Sequence, residues 1–354
     1  MKEEESMYYQ NNGKRDIGAD LLRVILIVMI VVHHCIVHGL GLVQLRDGMI
    51  DPVYFNNYQL LLNAVCIIGV NGFFWLSGYF GINRNGRKLL CIFFVCVFYA
   101  FVWSVIDFVT GNRTVSLSTV VNLLFPIKNY WFVAVYLFLA LVAPYINTTF
   151  SHASEREQLV FAGILFITSV LYGFVFNMAG IGNGYTVFQG ITMYAIGSLC
   201  KCKREILLKH RLACLLIFTA CVMSLFALAL ILVKRGDTMI VWRLFAYNNP
   251  IVMLSAVCFC LLFVSSAHKL PGAVSNCIVR VSRVSLAVYL ITDHVVARKI
   301  IYIPLQKAIG YIAGQEMKLL AVLLYALLLT TTAFAVEVGR MKVVAAIKKG
   351  FGTR

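Results

Sequence analysis

The stretch Leu21–Cys35, LLRVILIVMIVVHHC, decides the fold, because all but three of its fifteen residues are apolar. The hydrocarbon core of a bilayer is about 30 Å thick, and a helix needs about 20 largely apolar residues to cross it. With its apolar flanks, the stretch predicts a first membrane-spanning helix over residues 17–37. Its three polar residues, Arg23, His33 and His34, need a separate explanation, since polar groups are costly in lipid.

The composition of the whole chain extends this prediction. Of 354 residues, 61% are hydrophobic and 13% are charged, whereas soluble domains average about 45–50% and about 25%. We therefore expect an all-α, polytopic integral membrane helical bundle with about ten transmembrane helices. The expected domains are a cytoplasmic tail over 1–16, a transmembrane domain over 17–340 and a basic cytoplasmic tail over 341–354. The predicted spans are 17–37, 60–81, 89–109, 130–147, 158–177, 185–200, 211–233, 246–267, 284–304 and 318–338.

Lysine and arginine indicate the orientation of a multi-span protein, because its cytoplasmic loops carry more of them. With the N-terminus inside, the inner segments hold twenty of these cations and the outer segments hold ten. The sequence therefore predicts a cell-membrane protein with both termini in the cytoplasm. This asymmetry explains most of the net charge of +16, so no nucleic acid is expected as a partner. The 11 cysteines have no paired spacing, and no metal site is expected.

Arg23 and His34 are expected to share one face of the first helix. Residues eleven apart fall within about 20° of each other and lie about 16 Å apart along the axis, whereas His33 points about 100° away from His34. Asp20 can pair with Arg23 three residues later. Charged groups at this depth usually line a cavity, although Asp20 and Arg23 could instead reach the cytoplasmic headgroups. His34 is predicted to be functional, since an imidazole can move a proton near neutral pH. His33 and His38 are predicted to be outer interfacial residues.

Five further stretches follow in a characteristic order. They are GVNGFFWLSGYF (Gly69–Phe80), INRNGRKLL (Ile82–Leu90), NYWFVAVYLFLALVAPYIN (Asn129–Asn147), YNNPIVMLSAVCFCLLF (Tyr247–Phe263) and SLAVYLITDHVVARK (Ser285–Lys299). Together with the Arg23–His34 spacing, they resemble the acyltransferase 3 family, whose members are multi-span enzymes that O-acylate polysaccharides and other cell-surface molecules. The resemblance covers most of the chain. One departure is Thr292, where the polysaccharide branch often has histidine.

The resemblance implies roles for residues in these motifs. His34 and Arg23 are the expected catalytic residues, with His34 as the base. Donor binding is expected from Arg84, Arg87 and Lys88, although cytoplasmic loop charge alone would explain these three. Further candidates for contacts with the substrate or the oxyanion are Asp20, Asn71, Ser77, Trp131, Asp293 and His294. Helix packing is the alternative for Asn71 and Ser77, and Trp131 is either a membrane-interface anchor or a platform for an acceptor sugar.

The function implied is transfer of an acyl group, with acetyl favoured, from acyl-CoA to a hydroxyl of a surface glycan or its lipid-linked precursor. No tightly bound cofactor is expected, and acetyl-CoA or another acyl-CoA is the co-substrate. The expected partners are acyl-CoA, the glycan or lipid-linked sugar and the lipid bilayer. Two alternatives stay open. One is a transporter or flippase for such a glycan, in which Arg23 and His34 serve a proton relay; the other is a non-catalytic scaffold, which leaves His34 without a role.

Overall fold

A computed structural model describes residues 15–49, 55–83, 85–111, 125, 129–265 and 270–351. Within these residues every regular element is helical, which confirms the all-α prediction. The predicted tail over 1–16 lies outside the described residues except for positions 15 and 16. The helices are α1 (Ile17–His34), α2 (Leu42–Arg46), α3 (Asn57–Cys66), α4 (Gly69–Phe80), α5 (Gly86–Val109), α6 (Trp131–His152), α7 (Glu155–Thr168), α8 (Val187–Cys202), α9 (Arg204–Leu207), α10 (Arg211–Arg235), α11 (Thr238–Leu244), α12 (Pro250–Phe263), α13 (Gly272–Arg283), α14 (Ser285–Thr292), α15 (Val295–Ile300), α16 (Ile303–Tyr311) and α17 (Gln315–Phe351).

Seven helical segments of the described chain are long and apolar enough to cross a membrane. An eighth is formed if α13 and α14, which meet at a bend of 48°, are counted as one broken span. These helices make the protein a multi-pass membrane protein. The seven segments are Ile17–Gly39, Asn57–Phe80, Gly86–Val109, Trp131–His152, Glu155–Val175, Arg204–Arg235 and Gln315–Ile347.

The expected number of about ten spans is not confirmed, and short helices are the reason. The predicted span 185–200 corresponds to α8, which has 16 residues, and 246–267 corresponds to α12, which has 14. At a rise of 1.5 Å per residue, α12 covers about 21 Å, less than the roughly 30 Å of a bilayer core. The predicted span 284–304 is divided between α14, α15 and the start of α16.

The first two spanning segments form the centre of the bundle. In the most apolar part of Ile17–Gly39, 67% of the residues are buried within the protein, and in Asn57–Phe80 the share is 78%. In the other five segments it is 22–33%. Side chains that are exposed on those outer helices are available to contact lipid, whereas α1, α3 and α4 are surrounded by other helices.

Two glycines let α4 and α8 pack against each other. A Cβ atom at Gly78 would lie 1.9 Å from the carbonyl oxygen of Tyr194, and one at Gly197 would lie 2.1 Å from that of Trp75. The Ser198 hydroxyl donates to the carbonyl of Gly78 at 3.1 Å across the same contact. Small residues allow such close approach between membrane helices. The Ser-Gly pair at positions 77 and 78 therefore has a packing role through its glycine.

A π-helical turn, Cys35–Gly39, follows α1 directly after His34. Such turns contain an extra residue relative to the α-helical repeat, and they occur frequently at functional sites. At the other end of α1, Asp16 caps the helix by accepting a hydrogen bond from the amide of Ala19 at 3.0 Å. Asp16 also accepts one from the amide of Ser265 at 2.8 Å, which attaches the start of α1 to the chain beyond α12.

Candidate active site

A cavity of about 260 Å³ lies beside α1 and is bounded by residues of α4, α5, α6, α13 and α14. One stripe of α1 lines it along most of the helix length. The residues of this stripe are Asp20, Arg23, Ile27, Ile30 and His34. They recur at intervals of three and four, as one face of an α-helix requires. Arg23 and His34 thus line the same cavity from the same face.

One end of the cavity is strongly cationic. Arg15, Arg23, Lys88 and Arg283 all contribute to its lining, and among the described lining residues Asp20 is the one carboxylate. The guanidinium of Arg23 also lies over the ring of Phe80, 5.6 Å from its centroid. Four cations around one carboxylate give this end an excess of positive charge, which suits an anionic ligand.

Asp20 organises this cationic end. Its carboxylate accepts hydrogen bonds from Nε of Arg15 at 2.5 Å and from Nη1 of Arg23 at 3.2 Å, so the expected pair with Arg23 is present. The hydroxyl of Ser282 donates to the same carboxylate at 2.8 Å. The residue is only 1% exposed. A buried carboxylate is costly unless it is paired, and these donors supply the pairing.

His34 lies further along α1 and is paired with a buried acid. Its Nε2 lies 3.4 Å from Oδ1 of Asp293, which is 1% exposed. Its Nδ1 is buried and has no hydrogen-bond partner within the described part of the chain. The same Oδ1 of Asp293 lies 3.6 Å from Nε2 of His38 and 2.9 Å from Nη2 of Arg298. Asp293 itself does not line the cavity.

The neighbouring His33 has a different environment. Its Nδ1 lies 2.6 Å from Oδ1 of Asn63 on α3, and both residues are buried. His33 does not line the cavity. Two consecutive histidines are therefore separated by the helix geometry, one packed against α3 and the other beside the cavity.

Aromatic residues form a large part of the cavity lining. Trp131 stacks on Tyr247, with centroids 5.5 Å apart and planes at 29°, and Tyr185 packs edge-on against Trp131 at 4.6 Å. The carbonyl of Tyr247 is held by the side-chain amides of Asn71 at 2.8 Å and Gln189 at 3.0 Å. These bonds fix the backbone under the ring. The aromatic residues of the lining are Phe73, Phe80, Trp131, Phe132, Tyr136, Tyr247 and Tyr289.

The other predicted site residues are divided between the cavity and its surroundings. Ser77 lines the cavity, and its hydroxyl donates to the carbonyl of Phe73 at 2.8 Å. Asn71 does not line the cavity, since its amide bonds Tyr247 and its oxygen accepts from Gln189 at 3.1 Å. His294 also lies outside the lining, where it caps α15 by accepting from the amide of Val296 at 3.2 Å.

The predicted donor-binding residues do not behave alike. Lys88 lines the cationic end of the cavity, near the start of α5. Arg87 is exposed and does not line the cavity. Arg84 lies outside the described residues. The structure therefore brings one of the three to the cavity and leaves Arg87 on the surface.

Comparison with known families identifies the chain. A family model described as an acyltransferase domain, Acyl_transf_3, matches residues 16–338. The chain belongs to the acyltransferase 3 family. All the residues that line the cavity except Arg15 fall within the match. No curated protein and no solved structure matches the chain. Its spanning helices and its family together make it a membrane acyltransferase.

Several residues of the candidate site were not predicted from the sequence. Arg15 and Arg283 count as ordinary cytoplasmic loop charges, yet both line the cavity. His38 is expected at the outer interface, but the π-helical turn brings it to Asp293. Arg298 pairs with Asp293 five residues earlier, with Nε 3.1 Å from Oδ1. The spacing of five residues between Asp293 and Arg298 is a sequence signal that could have indicated this last pair.

Proposed function

We propose that this acyltransferase moves an acyl group, with acetyl favoured, from acyl-CoA to a hydroxyl of a surface glycan or its lipid-linked precursor. One observation carries the proposal: a single cavity joins a cationic end, around Arg23, to an imidazole, that of His34. The two groups lie about 16 Å apart along α1. An extended thioester donor has its phosphates at one end and its reactive carbonyl at the other, so it can occupy both positions at once.

The cationic end is proposed to hold the phosphates of the donor. Arginine binds phosphate through two parallel hydrogen bonds, and lysine binds it as a point charge. Arg15 and Arg23 already share Asp20, which holds their side chains in place before a ligand arrives. Arg23 would then neutralise negative charge on the donor side. The loop-charge rule assigns this end to the cytoplasm, where acyl-CoA is available.

His34 is proposed to carry the proton during transfer. Its imidazole takes the proton of the acceptor hydroxyl as the hydroxyl oxygen attacks the thioester carbonyl. The tetrahedral intermediate then collapses, the carbon–sulfur bond breaks, and the thiolate receives the same proton from His34. The products are an ester and free CoA, so no proton is gained or lost overall. His34 needs no covalent acyl intermediate for this sequence of steps.

The aromatic part of the cavity lining is proposed to bind the acceptor. The apolar face of a sugar ring packs well on an aromatic side chain, and polar tips nearby can bind its hydroxyls. Trp131, Tyr247 and Tyr289 supply such a surface in the cavity lining, where the ring of Tyr289 lies 6.2 Å from that of His34. Because Tyr247 is held through its backbone, this surface is firm, and the acceptor can approach His34 in a fixed orientation.

The experiment uses the purified acyltransferase in lipid nanodiscs with radiolabelled acetyl-CoA and the lipid-linked glycan of the producing cell. The expected result is base-labile label on the glycan, with one free CoA thiol released for each ester formed. Succinyl-CoA and free acetate serve as donor controls. Movement of the glycan across a vesicle membrane without any thiol release would instead support the transporter alternative and contradict the proposal.

A further inference from the structure

Asp293 is a buried acid that contacts His34 but not the cavity. Its Oδ1 lies 3.4 Å from Nε2 of His34 and 2.9 Å from Nη2 of Arg298. The residue follows α14 directly, and His34 ends α1, so the pair joins two elements that are 259 residues apart in the chain. A carboxylate without access to the cavity cannot contact a substrate there. Its closeness to the imidazole requires another explanation.

We propose that Asp293 is a positioning residue, which fixes the orientation and the tautomer of His34 by keeping the proton of the imidazole on Nε2. This inference rests on the proposed acyl transfer. A neutral imidazole carries one proton, and the nitrogen that keeps it is determined by the partner of that nitrogen. Here a carboxylate oxygen faces Nε2, while Nδ1 has no partner within the described residues. The proton therefore stays on Nε2.

Arg298 and His38 hold the acid in place. Arg298 donates to Oδ1 through Nε at 3.1 Å as well as through Nη2, so the carboxylate stays ionised and remains an acceptor. His38 approaches the same oxygen at 3.6 Å, and its ring centroid lies 5.6 Å from that of His34. His38 does not line the cavity, so it cannot be the base itself. It packs beside the acid and limits the movement of both.

Asp293 would then act on the rate of transfer and not on binding of the donor. During attack the imidazole of His34 becomes an imidazolium, and the neighbouring carboxylate stabilises that charge while its own proton count stays unchanged. The donor phosphates bind about 16 Å away at the cationic end. If Asp293 served only as a structural ion pair with Arg298, its replacement would instead weaken donor binding and destabilise the fold together.

The test compares Asp293→Asn with Asp107→Asn in the nanodisc assay. Asp107 is also a buried acid, but it does not line the cavity and lies on α5. We expect Asp293→Asn to lower kcat by about 10²–10⁴-fold at unchanged KM for acetyl-CoA, since His34 then loses the partner that fixes its tautomer and stabilises its imidazolium. Asp107→Asn should keep the wild-type kcat. Equal kcat for Asp293→Asn and wild type would overturn the inference.

A second measurement does not depend on how well the variant folds. The seven histidines of the wild-type protein can be labelled with ¹⁵N, and the signals of His34 identified by their loss in His34→Ala. The inference requires a protonated Nε2 and an unprotonated Nδ1 at His34 in the wild type, and the reverse tautomer overturns it. Failure of the proposed function looks different, because the wild-type protein would then release no CoA thiol and label no glycan, whatever the tautomer of His34.

Discussion

Arg23 and His34 line one cavity from the same face of α1, eleven residues apart. The spacing connects the two ends of the site through a single rigid element. A helix keeps its length and rotation within narrow limits, so the distance between Arg23 and His34 is fixed before a substrate arrives. Preorganisation of this kind removes part of the entropic cost of bringing donor and acceptor together.

Replacement of His34 should nearly abolish transfer, whereas replacement of His33 should not. Loss of a general base typically lowers the rate by about 10²–10⁴-fold, so His34→Ala should fall within that range. His33→Ala is the matched control, because His33 is equally buried but bonds Asn63 on α3. The measurement is labelled ester on the glycan, normalised to the protein in the membrane. Ordinary activity in His34→Ala would contradict the proposed mechanism.

Lys88 and Arg87 are neighbours that should differ in their effect on the donor. Lys88 lines the cationic end and Arg87 does not, although the resemblance to the family suggested both. A charge-assisted hydrogen bond contributes about 1.5–3 kcal/mol, so Lys88→Gln should raise the Kd for acetyl-CoA by about tenfold or more. Arg87→Gln should leave the Kd nearly unchanged. Titration calorimetry on the protein in nanodiscs measures the Kd of each variant. Equal Kd values for the two variants would contradict a role of Lys88 in donor binding.

Gly78 should tolerate no side chain. Alanine at this position would place its Cβ 1.9 Å from the carbonyl oxygen of Tyr194, and overpacking of this kind costs about 1–3 kcal/mol. Gly163 on α7 is the control, because a Cβ there meets no atom within 4 Å among the described residues. Gly163→Ala should be neutral or stabilise its helix by about 0.5–1 kcal/mol. Thermal unfolding in detergent compares the two, and a Tm for Gly78→Ala equal to wild type would contradict the packing role.

Reporters should place Arg354 and the loop near Arg235 on opposite sides of the membrane. The excess of lysine and arginine in the inner segments puts Arg354 in the cytoplasm and the loop outside. Opposite sides require an odd number of crossings among α12, the bent pair α13–α14 and α17. Fusions of a cytoplasmically active and an externally active reporter at each site provide the measurement. If both sites report the same side, an even number of these three segments cross, and the prediction of ten spans is wrong.

The parts of the site that one helix carries could be predicted, and the parts that join distant elements could not. The shared face of Arg23 and His34 follows from helical periodicity alone. The contact between His34 and Asp293 depends on how α1 packs beside α14, which no local pattern encodes. The prediction placed His38 at the outer interface, whereas in the structure it lies in the π-helical turn with its Nε2 3.6 Å from Oδ1 of Asp293.

The number of spans was predicted less well than their positions. Apolar composition cannot distinguish a helix that crosses the bilayer from one that is buried inside the protein, because the two kinds of helix are equally apolar. The 14 residues of α12 lie against other helices, with Val252, Ala256 and Cys260 almost fully buried. The bend between α13 and α14 follows Arg283. The hydropathy of this segment does not predict a bend at that position.

The cationic end of the cavity has a consequence for turnover. Under the proposed reaction, Arg15, Arg23, Lys88 and Arg283 recognise the part of the donor that the chemistry leaves unchanged. Free CoA carries the same phosphates as acyl-CoA. It should therefore dissociate slowly after the reaction and compete with acyl-CoA for the same binding site. The acyltransferase would then respond to the ratio of acylated to free CoA in the cell, and the acylation of the glycan would track the supply of activated acyl groups.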